Sequence, residues 1–527
     1  MNPKAVKFIS LGREETLIAS LLHERAYPHP ADNMQLLETH ISWVILAGRF
    51  AYKIKKPIKL EFLDFSSLER RKKFCDEELR LNRPWAPELY LDVVPICGSY
   101  EKPAVGGDGP PIEYAVKMLQ FPQVAQLDAQ LDAGLLVDAD MIELAEMIAA
   151  HHDIAAVIEQ RDAKDAIESI RHPMLENVEH LKSYVSWDEL QGLSAWTKRN
   201  LKVLRAALVQ RQRDGFIREC HGDLHLRNLV RLPAGIVAFD CVEFSAELRN
   251  VDVISDVSFL VMDLIARERR DLAYVFINRY LECTGDYAGM AVFGLYYVYH
   301  ALIRAKVAAI RSVEHNDEIG GQHGSEEIAH CCSVARHWTV SRRPLLIAMH
   351  GFSGSGKTSL SQILISRLPA IRVRSDIERK REYGLEETEQ SDARVGKGIY
   401  DPHARRNIYE TLAAAAEVSL RLGQNVIVDA AFLNHEDRQH FQALAKRLKA
   451  DFVIVDTLAE SDELLRRVRL RQHDAGDASE ADASVLRYQF ESAEPLGSEE
   501  LEWTIAVATD TGIDAETVVE QIAAARR

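Results

Sequence analysis

Apolar and polar positions follow three different rhythms along the chain. Residues 1–40 read as helical and polar, with LIASLLHERAY on one amphipathic face. From His40 to Leu46 and from Phe50 to Lys55, around a turn at Gly48, the pattern changes to a β-hairpin. A charged helix is predicted over Ser66–Asn82, ended by Pro84, with further strands at Leu89–Ile96 and Glu113–Gln120. Ala125–Gln212 then reads as almost wholly helical, 219–244 as loop and strand, and Asp252–His337 as helical again. Near Arg342 the texture shifts to short, wholly apolar runs of the kind buried on both faces of a parallel sheet: Pro344–Met349, Ile371–Val373, Asn425–Val428, Phe452–Val455 and Thr504–Ala508. Helical patterns separate these runs, so the tail is predicted to be a βαβ domain. The expected division is 1–340 and 341–527, with the boundary inside 338–344. His473–Ala483, acidic and rich in small residues, is expected to be a loop.

Bulk properties narrow the classes. A chain of 527 residues exceeds one ordinary core, and its 47% hydrophobic and 27% charged residues are those of a soluble globular protein. A net charge of −16 argues against a nucleic-acid partner. Seven cysteines without a CxxC pair give no zinc or redox motif and fit reduced thiols in the cytoplasm. The first ten residues carry no apolar signal core, and the apolar stretch Met290–Ile310 contains His300, Arg304 and Lys306, so a buried helix is expected there rather than a membrane span.

Two segments carry chemistry. The first is His221-Gly222-Asp223-Leu224-His225-Leu226-Arg227-Asn228, followed by Asp240 at the end of an apolar run. Phosphoryl transfer needs a base for the acceptor hydroxyl, magnesium ligands and a cation on the donor phosphates. Asp223 suits the base, and Asn228 and Asp240 suit the metal. The cation is expected on the upstream hairpin, where Ala51-Tyr52-Lys53 has A-x-K spacing. Lys53 is preferred, and Lys55, on the same strand face, competes with it. A carboxylate on the following helix would orient the lysine; Glu77 and Glu78 both qualify, and Glu78 lies nearer the inward stripe. Tyr114–Met118 and the Leu119–Pro122 segment after it would form the hinge that meets adenine. Either Asp252 or Asp256 could support the catalytic loop. Residues 40–310 resemble the aminoglycoside phosphotransferase and choline kinase-like branch of the protein kinase fold, which carries HGDxxxxN. The resemblance implies an α+β kinase-like domain that uses ATP and Mg2+. It departs from the wider pattern in one place: no GxGxxG precedes the lysine hairpin, where the chain reads Leu37-Glu38-Thr39-His40-Ile41-Ser42.

The second segment is Gly351-Phe352-Ser353-Gly354-Ser355-Gly356-Lys357-Thr358, after an apolar strand and before a helix. In that context G-x-x-x-x-G-K-T is a P-loop. The amides of Phe352–Gly356 would cradle phosphates, Lys357 would bridge the outer ones and Thr358 would hold magnesium. Asp429, ending the Val426–Val428 run, is the second metal-side acid; Ala430 and Ala431 follow it, which disfavours a hydrolytic motor. Arg438 is a further candidate phosphate contact. The tail resembles zeta-toxin-like and gluconate-kinase-like P-loop kinases. That likeness implies Asp376 near an acceptor hydroxyl, and a lid built on the helix bearing Arg466, Arg467, Arg469 and Arg471. Arg467 and Arg471 lie one turn apart and are the preferred pair.

The expected fold class is therefore a kinase-like α+β domain followed by an α/β P-loop domain with a parallel sheet. The expected activity is transfer of phosphate from ATP to a small hydroxylated metabolite such as a sugar, nucleoside or amino-alcohol, without nucleic acid or membrane as partner. The alternative is a regulatory switch, in which the P-loop domain binds or slowly hydrolyses ATP and gates the kinase-like domain.

Overall fold

A computed structural model describes residues 11–60, 63–159, 163–314, 318–389, 402–471, 479, 481–510 and 512–526. The chain divides into two compact units: residues 1–136, 150–169 and 211–260 form one, and 137–149, 170–210 and 261–527 the other. The boundary expected at 338–344 falls inside the second unit, because the helix Arg270–Thr284 packs on the parallel sheet described below.

The first unit is built on an antiparallel six-stranded sheet. Its strands are β1 (Gln35–Glu38), β2 (Ser42–Ala47), β3 (Phe50–Lys55), β4 (Tyr90–Ser99), β5 (Lys102–Val105) and β6 (Pro111–Leu119), in the order β1-β2-β3-β6-β4-β5. Alternation decides what each face of β3 meets. Tyr52 and Ile54 join Trp43, Ile45 and Ile96 in one core cluster, whereas Ala51 packs with Cys75, Tyr90 and Val116 in another. Lys53 and Lys55 share the Ala51 face, toward the helix Leu68–Asn82 that covers β6 and β4. Ser67 caps that helix by accepting from Arg70 N. Two small ribbons complete the unit: β7 (Ile217–Glu219) pairs with β10 (Asn250–Asp252), and β8 (Leu229–Leu232) pairs with β9 (Gly235–Ala238).

Two expectations need correction here. The first forty residues are not helical throughout, since the helix Leu11–Leu21 is followed by β1, which extends the hairpin into a third strand. β1 and β5, four residues each, were absent from the sequence reading. Where a glycine-rich loop would stand, Thr39 closes a tight turn by hydrogen bonding Ser42 in both directions.

The second unit carries a parallel sheet of β11 (Leu345–His350), β12 (Ala370–Arg374), β13 (Asn425–Asp429), β14 (Asp451–Leu458) and β15 (Thr504–Ala508), ordered β12-β13-β11-β14-β15. All four pairings are parallel, and the three inner strands are almost wholly buried, as an apolar run without alternation requires. Helices Lys357–Arg367, Pro402–Arg421 and His435–Leu448 supply the crossovers. Before the sheet, Met290–Glu314 packs along Glu318–Thr339. Among the described residues no helix is long and apolar enough to cross a membrane. Most of the His473–Ala483 stretch lies outside the described residues.

Candidate functional site

In the first unit, four of the sequence-predicted residues, Lys53, Lys55, Glu78 and Asp240, gather around one ion network. The Lys53 ammonium donates to Glu78 Oε1 at 2.7 Å and also to Asp240 Oδ1. Lys55, fully buried, donates to Glu78 Oε2 and to Glu243 Oε1. Glu78 therefore sits between two lysines, while Glu77 faces Arg80 and Arg249 at the helix surface. Burial alone would push both ammonium groups down and the carboxyls up. The charges win at the lysines: Asp240, Glu78 and Glu243 hold Lys53 well above its ordinary value, and Glu78 is held below its own by Lys53 and Lys55. At Glu243 burial dominates and raises the carboxyl.

The loop that bears Asp223 is stitched to the same place by backbone bonds. His221 O accepts from Val242 N at 3.1 Å, His221 Nε2 pairs with Phe239 O at 2.9 Å, and Asn228 O accepts from Phe239 N at 2.9 Å. Asn228 donates its side-chain amide to Asp223 O and to Asp223 Oδ2, each at 2.9 Å. His225 Nε2 lies 3.4 Å from Asp223 Oδ2. Burial would raise the Asp223 carboxyl, but His225, His221 and Asn228 outweigh it and bring it down to about 2. Gly222 must be glycine: its φ is +82°, and a Cβ there would meet Leu248 O at 2.8 Å. Asp240 itself adopts φ +63°, a costly conformation for a residue with a side chain, and Tyr90 Oη accepts its N–H at 3.1 Å.

Sequence reasoning did not find Glu243, Tyr90 or the full role of Asp256. Asp256 accepts from the amides of His221 and Gly222 at 2.8 and 3.0 Å, so it braces the loop; Asp252 is taken by Arg211. An acid four residues into an apolar helix was the available signal, but it does not say which backbone amides lie opposite. In the expected hinge, Leu119 N and Gln120 N are bonded to Leu89 O and Arg49 O, and Phe121 stacks edgewise on Phe239.

In the second unit the P-loop joins β11 to the helix Lys357–Arg367. Gly351, Gly354 and Gly356 all have positive φ, and a Cβ on Gly351 would meet Thr457 Oγ1 at 2.6 Å and Ser355 Oγ at 2.7 Å. The loop is braced from outside: Ser355 Oγ pairs with Thr457 Oγ1 at 2.6 Å, Thr509 Oγ1 donates to Ser355 O at 2.8 Å, and Ser353 N donates to Gln489 Oε1 at 2.8 Å. Lys357 Nζ reaches the carbonyls of Gly351 and Phe352 at 2.9 and 2.8 Å.

A cavity of 190 Å³ opens over this loop. Lys357, Thr358, Asp376 and Asp429 all line it, and so do Arg379 and Arg405, which the sequence reading missed. Asp376 stands in the first turn of the helix Ser375–Glu382, paired with Arg379 at 3.0 Å. Burial works against its charge, but Arg379, Arg374 and Lys357 leave its carboxyl below the usual range. Asp429 accepts from Ser361 Oγ at 3.0 Å.

The arginines are distributed differently from the expected lid. Arg467 does not line the cavity; it donates to Gly354 O at 3.2 Å and to Thr509 Oγ1 and O at 2.9 Å each, clamping the loop from behind. Arg471 ends that helix, and its side chain lies outside the described residues. Arg438 is fully buried on Glu500 and on backbone carbonyls, away from the cavity.

Both sites fit the groups that the motifs imply. Positive-φ glycines and a helix N-terminus form an anion cradle above Lys357. The hydroxyl of Thr358 with the carboxylate of Asp429, and the amide of Asn228 with the carboxylate of Asp240, are hard oxygen donors suited to Mg2+.

Comparison with known proteins adds the lineage. The AAA domain family model matches residues 346–496. An uncharacterized protein of Mycobacterium tuberculosis is 26% identical over 94% of this chain and 96% of its own length. The guanylate kinase of Paramagnetospirillum magneticum is 33% identical over 26% of this chain and 68% of its own. A choline/ethanolamine kinase family protein from Mesorhizobium loti superposes with a TM-score of 0.38 at 12% identity, over 58% of this chain and 89% of that one. The chain belongs, through its C-terminal domain, to the P-loop kinases, the group that includes guanylate kinase, and carries that domain behind an α+β domain built on a six-stranded antiparallel sheet.

Proposed function

We propose that the chain is an ATP- and Mg2+-dependent phosphotransferase acting on a small hydroxylated metabolite, with one nucleotide site in a kinase-like domain (1–340) and another in a P-loop domain (341–527). The observation that carries this reading is the 190 Å³ cavity, which collects a phosphate cradle, a metal-side carboxylate and a separate acceptor-side carboxylate in one space. A binding module needs the first two. A carboxylate kept ionised beside the cradle, at Asp376, is what an acceptor hydroxyl requires.

In this reading the acceptor oxygen attacks the γ-phosphorus of ATP, the bond to the ADP oxygen breaks, and the hydroxyl proton passes to the carboxylate: Asp223 in the first site and Asp376 in the second. Lys53, oriented by Glu78, and Lys357 neutralise donor phosphates. Asn228 with Asp240, and Thr358 with Asp429, would hold Mg2+, which would supply positive charge to offset the charge developing on the phosphates. Arg467 keeps the P-loop in shape, and Arg471 would act on the phosphates.

A regulatory reading has its own support. Asn278, on the helix Arg270–Thr284, is bonded to Ala370 O and Arg372 N, and Glu282 on the same helix holds Arg372 at 2.7 Å. That helix therefore grips β12, the strand that leads to Asp376, and would feel a change there. The deciding experiment incubates the purified chain with labelled ATP and a metabolite pool. A phosphorylated product that disappears with Asp223→Asn or Asp376→Asn supports transfer; slow hydrolysis without product in every variant supports the switch and overturns the proposal.

A further inference from the structure

A second cavity, of 230 Å³, lies at the other end of the parallel sheet and shares no lining residue with the P-loop cavity. Leu368 and Pro369, just before β12, and Gln424 and Asn425, at the start of β13, form its floor, so it sits beside the amino-terminal ends of strands whose carboxyl ends carry the chemistry. Its walls come from the helix Arg270–Thr284 and from the segment leading into β11.

The lining is cationic in a chain whose net charge is −16. Arg270 Nη2 lies 2.9 Å from His337 Nε2, and Arg342 Nη2 lies 2.7 Å from the same nitrogen. Guanidinium groups only donate, so the imidazole accepts and is neutral. Burial and the two arginines depress His337 to about 4, consistent with that geometry. Two full positive charges thus converge on one uncharged ring. Among the described residues neither has a carboxylate partner, whereas the outer pair, Arg343 and Arg526, shares Asp451 at 2.8 and 3.2 Å. The Tyr274 hydroxyl donates to Gln424 Oε1 at 2.6 Å, which leaves the amide NH2 of Gln424 as a further donor at the floor.

A packed core resolves such a convergence by placing an acid between the cations, as Glu282, on the same helix as Arg270, does for Arg372 and Arg374 of β12. Here donors and charge face a cavity instead. Guanidinium forks match the oxygens of carboxylates and phosphates, and two of them together suit the double charge of a phosphate. We propose that this pocket binds a phosphate-bearing small anion, held between Arg270 and Arg342 and distinct from the nucleotide at the P-loop.

The test uses the full chain with Lys357→Ala, so that the P-loop does not compete, and titrates it with inorganic phosphate and with glycerol 3-phosphate by calorimetry. Saturable binding below about 1 mM is expected, weakened at least tenfold by Arg270→Gln combined with Arg342→Gln. Tighter binding of the ester marks a phosphorylated metabolite as the occupant, and tighter binding of the free ion marks phosphate itself; both support the site. Unchanged affinity in the double variant, or no saturation with either probe, overturns it. Because the double variant can lose stability, hydrogen exchange of residues 337–343 in the unaltered chain gives an independent reading: protection by either probe supports the pocket, and identical exchange with and without probe refutes it.

Discussion

The two candidate sites handle the same chemical problem with different materials. Around Lys53 the site is made of side chains brought from far apart: Glu78 lies 25 residues from Lys53, and Asp240 lies 187 away. Around Lys357 it is made of backbone, with the lysine bonded to carbonyls five and six residues before it. A side-chain site holds its charges in place by opposing them, so its electrostatics and its folding are one system. A backbone cradle is shaped by glycine conformations and by bracing from Thr457 and Thr509, and its lysine donates to carbonyls of the loop itself rather than sitting locked between two carboxylates. The difference predicts how each site fails.

The largest effect is expected at Lys55. Lys55→Met leaves Glu78 and Glu243 facing each other in the core, and removing one partner of a buried ion pair costs about 3–5 kcal/mol. Urea unfolding of the first transition should register that loss, whereas Lys357→Met should change stability by less than about 1 kcal/mol while abolishing nucleotide binding at its site. Equal destabilisation by the two variants would erase the distinction drawn here.

Next comes Asp223→Asn. It keeps the shape of the loop and removes the base, so transfer at the first site should fall about 100-fold or more in single-turnover assays, with nucleotide affinity retained. Rates near those of the unaltered chain would show that the loop does other work. A smaller loss follows from Arg467→Ala, which frees Gly354 O and the Thr509 segment; nucleotide affinity at the P-loop should weaken by about 1 kcal/mol, roughly fivefold. An unchanged affinity would mean that the clamp is dispensable.

The smallest expected effect is an absence. Because Asp223 titrates at about 2, its charge, and the stability contributed by its pairing with His225 and Asn228, are fully present above the ordinary aspartate value and are lost only as pH falls through about 2. A carboxyl-carbon NMR titration should therefore place Asp223 below about 3 and show no change between neutral pH and pH 5. A midpoint above the usual aspartate range would contradict the geometry of the loop.

The same contrast governs how much could be read in the chain. The P-loop was fully legible because its parts are contiguous, and Thr504–Ala508 matches β15 residue for residue. HGDxxxxN located Asp223 and Asn228 for the same reason. Strand periodicity put Lys53 and Lys55 on one face and could not separate them; the separation comes from Asp240 and Glu243, which oppose them only after folding. β1 and β5 escaped because four-residue edge strands carry too few alternations to stand out. The arginines of Ser461–Arg471 were read as a lid from the likeness to P-loop kinases and from helix spacing, and neither can tell that Arg467 points at the back of the P-loop. Arg379 and Arg405 line the cavity from two different helices, a convergence that no local pattern announces.

The central claim is that one chain holds two independent nucleotide sites. Calorimetric titration with ATP and Mg2+ tests it most directly. The account predicts two nucleotides per chain in the unaltered protein, one in Lys357→Ala, and one, the other, in Lys53→Ala. A count of one in the unaltered protein, or the loss of both sites with either single lysine, would contradict it.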